Sequence, residues 1–214
     1  LMQDEKEQEA LTRVYELKAL TSQINPHFLY NTLETIIWMA EFQDHKKVVE
    51  ITKALSNYFR LSLNAGNELV TLQQEIEHVR QYLFIQKERY GDKLNYRIDF
   101  SEEIPPIMIP KIVIQPLVEN AIYHGIKEID RPGQIDITLL KIDEWIEICI
   151  ADNGVGMSGK ETSSKQLGGI GIKNVTERLK LFFGEAFTMT IDSKPNEYTK
   201  IYLRIPIKGQ QDLQ

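Results

Sequence analysis

A histidine directly after a proline, in Gln23-Ile24-Asn25-Pro26-His27-Phe28-Leu29-Tyr30-Asn31, is the first place in this chain where chemistry can be expected. Proline removes a backbone donor and disturbs a helix. An imidazole beside it reads as displayed for use, whether as a base, a metal ligand or a phosphoryl acceptor. Asn25-Pro26 admits two local readings: a kink inside a continuous helix, or an N-cap and N1 pair opening a new one. In the second, the positive helix end disfavours imidazolium and favours a phosphoryl anion. His45 and His78 have no comparable context and read as surface residues. No cysteine or histidine pair has the spacing of a zinc site.

Three further clusters lie in the second half. In Asn120-Ala121-Ile122-Tyr123-His124-Gly125-Ile126-Lys127, a helix would put Asn120, His124 and Lys127 on one face. An amide oxygen there can complete an octahedral Mg²⁺ shell beside phosphates and water, and His124 or Lys127 can meet the phosphates. Asp152-Asn153-Gly154-Val155-Gly156 places an acid before glycines that turn tightly, which suits recognition of a ligand amino group. Gly168-Gly169-Ile170-Gly171-Ile172-Lys173-Asn174 opens a helix with free amides for an anion. It is not a P-loop, since no Gly-Lys-Ser/Thr follows, and it lies outside any βαβ unit.

The elements that must hold these residues change in texture along the chain. Ala10, Val14, Leu17, Thr21, Ile24, Phe28, Asn31, Thr35 and Trp38 step by four and three, a heptad-like seam that pairs helices. A second stripe, Val48, Ile51, Leu55, Tyr58 or Phe59, and Ser62, makes a helical hairpin with the first. Such a hairpin buries one side of its stripe, so a homodimeric four-helix bundle completes the core. Thr71 with Gln74 signals a capping box and a third helix through about Arg89. A strand over 94–100 follows, then a helix from Pro110 to about Ile126 and strands near 134–141 and 145–151. The remainder reads as a helix near 171–183 and strands near 187–193 and 198–206. The fold class is α+β: an N-terminal helical hairpin followed by an α/β sandwich with a mixed, mostly antiparallel sheet. The expected divisions are a helical domain over 1–66, a connecting helix over 67–91 and a second domain over 92–214.

Composition narrows the function classes. A net charge of -6 argues against general affinity for nucleic-acid phosphate. The single cysteine, Cys149, excludes an internal disulfide and fits a reducing compartment; its apolar run reads as a buried strand. No apolar run approaches the ~18 residues of a membrane span. A chain opening at Leu1 without methionine reads as an excised fragment, so any membrane anchor is expected outside it.

Taken together and in order, the three clusters resemble the N, G1 and G2 boxes of the ATP-binding fold shared by gyrase, the related heat-shock chaperone, histidine kinases and MutL. With Gln23 to Asn31 upstream and Gln115-Pro116-Leu117-Val118-Glu119-Asn120 in the N box, the chain resembles the LytS/YesM-type bacterial sensor histidine kinases from about Leu17 to Pro206. The resemblance implies ATP and Mg²⁺ as cofactors, His27 as phosphoacceptor, Asn120 as the Mg²⁺ ligand and Asp152 at the adenine amino group. Gly154, Gly156, Gly169 and Gly171 would shape the lid and phosphate site, with a mobile lid over about 157–168. It further implies a homodimer, a response-regulator receiver domain as partner, and a cytoplasmic location within a membrane sensor. Two departures bear on the general base. Phe28 stands where many histidine kinases have an acid, and Pro116 where related ATPases have one, leaving Glu119 and Glu34 as candidates. Asn31, four residues after His27, matches the polar residue that orients water for dephosphorylation. Two other readings stand beside the kinase: a serine/threonine kinase of the same ATP fold, which lacks a histidine-bearing hairpin, and a dimeric ATP-binding signalling module without phosphorylation.

Overall fold

The computed structural model describes residues 26–63, 67–157 and 170–207. Contacts divide the described residues into two units, between Thr52 and Lys53 within one helix. In the first unit, α1 (Pro26–Glu41) is joined to α2 (His45–Leu63) by a turn in which Gln43 has φ 60° and Asp44 Oδ1 accepts from Lys47 N. Phe28 and Thr32 are the buried positions of α1, while Trp38, expected on the seam, is 62% exposed. Tyr30, Leu33, Ile37 and Phe42 are exposed beside it, so α1 is apolar on two faces and buries one. On α2 the expected stripe is buried at Ile51, Leu55, Tyr58 and Ser62, with Tyr58 rather than Phe59 turned inward. Asn25 and the earlier seam positions lie outside the described residues.

The second unit is a sandwich of helices against one sheet. Its strands run in the order β2 (Leu94–Phe100), β4 (Gly133–Ile142), β5 (Trp145–Asp152), β7 (Tyr198–Pro206), β6 (Thr188–Lys194). Only the β2–β4 pair is parallel. Strict alternation puts Ile135, Ile137 and Leu139, Ile146, Ile148 and Ile150, and Ile201, Leu203 and Ile205 on one buried face. Cys149 falls on the other face, half-buried between Thr138 and Tyr202, not in the core as expected. α3 (Leu72–Tyr90) packs on β2, α4 (Gln115–Asn120) on α3 and on α5 (Ile170–Phe183), and the turn that follows α4 on β4, β5 and β7.

The capping box of α3 forms as expected: Gln74 N donates to Thr71 Oγ1 and Thr71 N to Gln74 Oε1. The helix expected from Pro110 starts later. Pro110 instead ends β3 (Met108–Pro110), which pairs antiparallel with β1 (Leu69–Thr71). Ile112 then takes a left-handed φ of 57°, which no helix can contain, and α4 opens only at Gln115. Beyond Asn120 the helix widens into a π-helical turn, Ala121–Ile126, closed by Lys127 N donating to Ile122 O. His78, expected at the surface, is 3% exposed on α3, stacked 4.5 Å from the Tyr58 ring with Nε2 2.7 Å from Ser62 Oγ. Burial lowers its pKa to about 4, so it is a neutral, hydrogen-bonded core residue.

Candidate nucleotide site

Asp152 ends the central strand β5, where the buried alternation brings its side chain inward at 6% exposure. Its Oδ1 accepts from Gly154 N at 2.9 Å. Burial pushes the carboxyl up to about 6, against the pull of that hydrogen bond. The group is thus mostly ionised at pH 7, with acceptor capacity for an amino group. Space for it depends on two close approaches. A Cβ on Gly125 would stand 2.6 Å from Asp152 Oδ1, and a Cβ on Gly154 would stand 2.4 Å from the Gly125 backbone. Val155 N donates to Gly125 O, so the π turn and the strand-end loop are fastened together.

The loop is anchored on its other side as well. Asn153 Oδ1 accepts from Gln134 N at 2.7 Å, and its Nδ2 reaches Pro132 O. Gly156, at φ 65°, lies against the β6–β7 turn, where Asn196 N donates to Val155 O and Met157 N to Ser193 Oγ. A side chain at Gly156 would collide with Lys194 O, so glycine is required both for φ and for space.

Asn120 closes the opposite wall. Its Nδ2 is buried and has no hydrogen-bond partner among the described residues, and the space beside Gly171, in the first turn of α5, is bounded by that amide. A buried amide donor without a partner is costly, and next to a helix start it fits a phosphate oxygen, leaving the amide's own oxygen for a hard cation. The arrangement therefore suits a nucleotide whose amino-bearing base meets Asp152 and whose charged end meets Asn120 and the amides of α5. His124 and Lys127 are exposed, and the wider π turn removes the α-helical periodicity from which a common face with Asn120 was inferred. Gly169 and the segment 158–169 lie outside the described residues.

Glu119 turns away from Asn120. Its Oε1 accepts from Gln115 Nε2 at 2.8 Å, and the same amide donates to Tyr58 OH at 2.8 Å. Burial raises its carboxyl above the ordinary range. In the first unit His27 is exposed, with Nδ1 3.2 Å from Asn31 Nδ2. Glu34 is exposed one turn beyond Asn31 along the same stripe.

Sequence reasoning missed two residues that shape the site. Gly125 carried a signal, a glycine inside a helical pattern, which often marks close backbone approach. Glu75 carried none, because it acts 37 to 39 residues away, on the loop before α4.

Fold and site together define an ATP-binding domain of the gyrase, chaperone and histidine-kinase class, preceded by a histidine-bearing helical segment. Two family models match accordingly: "Histidine kinase" over residues 15–94 and "Histidine kinase-, DNA gyrase B-, and HSP90-like ATPase" over residues 108–209. The chain belongs to the histidine kinases, and within them to the LytS/YesM type. It is 38% identical to the sensor histidine kinase YesM of Bacillus subtilis, covering 98% of this chain and 36% of the relative. It is 34% identical to BtsS of Escherichia coli K12 (95% and 35%) and 35% identical to LytS of Streptococcus mutans (97% and 37%). The chain thus spans little more than a third of the length of these relatives. The histidine kinase domain of the Erythrobacter litoralis EL346 blue-light activated kinase shares the fold, at a TM-score of 0.55 and 12% identity over 92% of this chain and 96% of that one.

Proposed function

We propose that this chain is the phosphoacceptor and ATP-binding part of a sensor histidine kinase, which autophosphorylates His27 and passes the phosphoryl group to an aspartate of a response regulator. The observation that carries the reading is the buried, unpartnered amide of Asn120 beside Gly171 at the start of α5. Asp152 would accept from the adenine amino group, and Asn120 Oδ1 would be the chain's ligand to Mg²⁺. The ion supplies charge neutralisation at the phosphates, which phosphoryl transfer needs more than covalent help.

His27 is exposed and its ring is held at Nδ1 by Asn31. With the Asn31 amide turned so that Oδ1 accepts Nδ1–H, Nε2 carries the lone pair. The imidazole then attacks the γ-phosphorus; a nitrogen–phosphorus bond forms and the bond to the bridging oxygen breaks, releasing ADP. The ring must then lose its Nδ1 proton. Glu34 stands about 10 Å along α1 from His27, too far for direct transfer. Glu119, whose carboxyl is raised by burial and accepts from Gln115 Nε2, is the other candidate for this proton. Asn31 also serves to orient water in the reverse, dephosphorylating reaction.

The exposed Tyr30, Leu33, Ile37 and Trp38 of α1 support a homodimer whose second copy covers that face. No helix among the described residues is long and apolar enough to cross a membrane, and the matched relatives are about three times longer. We place the chain on the cytoplasmic side of a membrane sensor, anchored through segments beyond it.

Incubation with γ-labelled ATP and Mg²⁺ tests the reading. Acid-labile, alkali-stable label on the wild type, absent from His27→Gln and Asn120→Asp, supports it. Label that persists in His27→Gln overturns it, and ATP binding with no label favours a non-phosphorylating signalling module.

A further inference from the structure

A strained turn leads into the helix that carries Asn120. Ile112 is β-branched and sits at φ 57°, a left-handed conformation that strains such a residue. The strain is held from two directions. From α3, the buried Glu75 carboxylate accepts from Ile112 N at 2.9 Å on Oε2, and from Val113 N at 2.8 Å and Ile114 N at 2.9 Å on Oε1. From α5, Arg178 Nη1 donates to Lys111 O at 3.0 Å. Ile114, at the cap position of α4, offers no side-chain acceptor. Glu75 therefore satisfies three successive amides ahead of the first turn of α4, which an N-cap side chain, bonding N2 or N3, would not take.

A fold that needed only a helix start would use a local polar cap, at no cost in strain or in carboxylate burial. Here a buried acid, 2% exposed, and an outlying φ are both spent on three residues, 112–114. What those residues fix is the position and direction of α4. Asn120 lies five residues into that helix, and Gly125, against Asp152, lies five further. We propose that Glu75 is a positioning residue for the nucleotide site, clamping 112–114 so that Asn120 and Gly125 are preset for Mg²⁺–ATP, with Arg178 tying the same turn to the phosphate helix α5. The inference rests on the ATP reading above and deepens it. Tight placement matters because a displacement of about 1 Å at a ligating group can cost on the order of 100-fold.

The test is calorimetric titration of the full chain with Mg²⁺ and a non-hydrolysable ATP analogue, at a temperature where every variant is folded by circular dichroism. Glu75→Gln keeps the size but has one oxygen, and turns an NH₂ toward a backbone donor. It is expected to weaken analogue binding at least fivefold. Ile137→Val, a core change in β4, serves as the destabilised control and is expected to bind as the wild type does. If Glu75→Gln does not fold, Arg178→Met carries the same expectation from an exposed side chain. Wild-type affinity in the clamp variants overturns the proposal, as does an equal loss in Ile137→Val, which would mark a general effect of stability. A wild type that fails to bind the analogue overturns the ATP reading itself, an outcome distinct from either.

Discussion

Asp152 holds a conflict between folding and binding that can be measured. Its carboxyl is pushed from an ordinary 3.8 to about 6 by burial. The folded state therefore holds the proton more tightly than the unfolded chain, and the penalty of ionising accrues as pH rises from about 4 through 6. At neutral pH the buried charge costs up to roughly 3 kcal/mol at 1.36 kcal/mol per unit. Asp152→Asn, which keeps the acceptor for Gly154 N, is expected to raise the melting temperature at pH 7 and to lose that advantage below pH 4. The same variant turns an amide donor toward the adenine amino group and should weaken nucleotide binding roughly 10- to 100-fold. In the wild type, affinity should fall as pH drops through 6, after correction for the nucleotide's own phosphate ionisation. A pH-independent affinity between 5 and 8 would remove Asp152 from the adenine contact. This residue was legible in the sequence because strand alternation and the following glycines are local signals. His78 was not: its aromatic and hydroxyl partners, Tyr58 and Ser62, come from α2, 16 to 20 residues earlier, and nothing local marks a histidine as stacked and neutral.

Among the elements, those governed by short-range chemistry were readable, and α4 was not. The capping box of α3, the alternation of β4, β5 and β7, and the burial of the α2 stripe each follow from neighbours in the chain. The start of α4 follows instead from a β1–β3 pairing that takes Pro110, from a positive φ at Ile112, and from an acid on α3. The π turn after Asn120 is equally hidden, since its wider spacing serves a contact between Gly125 and the loop at Gly154. That contact yields a prediction at this scale. Gly154→Ala adds a methyl 2.4 Å from the Gly125 backbone, with no flexible side-chain end to give way. Overpacking of this kind typically costs 1–3 kcal/mol. The melting temperature should drop accordingly, and nucleotide affinity should fall with it because the π turn and the Asp152 loop are pushed apart. Unchanged affinity in the folded variant would show that the loop can shift without moving the site.

For the whole molecule, the first unit is the incomplete part. A helix apolar on one stripe would be satisfied by a partner helix, but α1 exposes Tyr30, Leu33, Ile37 and Trp38, with Phe42 just past its end, while burying Phe28 on another face. Trp38 and Phe42 stack at 5.7 Å, which makes a rigid aromatic ridge rather than scattered surface residues. Exposed apolar area of this extent on one helix face calls for a partner, and a second copy that presents the same face satisfies both at once in a two-fold arrangement. Ile37→Glu places a charge in the middle of that face without touching Phe28, Ile51 or His27. Burying an unpaired carboxylate there costs several kcal/mol, and each 1.4 kcal/mol is tenfold in a dissociation constant. Sedimentation equilibrium should show the wild type as a dimer at micromolar concentration and Ile37→Glu weakened at least tenfold, with unchanged helical content by circular dichroism. Nucleotide affinity should survive the change, because the ATP site is built wholly from residues of the second unit. A variant that dimerises as the wild type does would free this face for another occupant, and the bundle would have to be closed elsewhere.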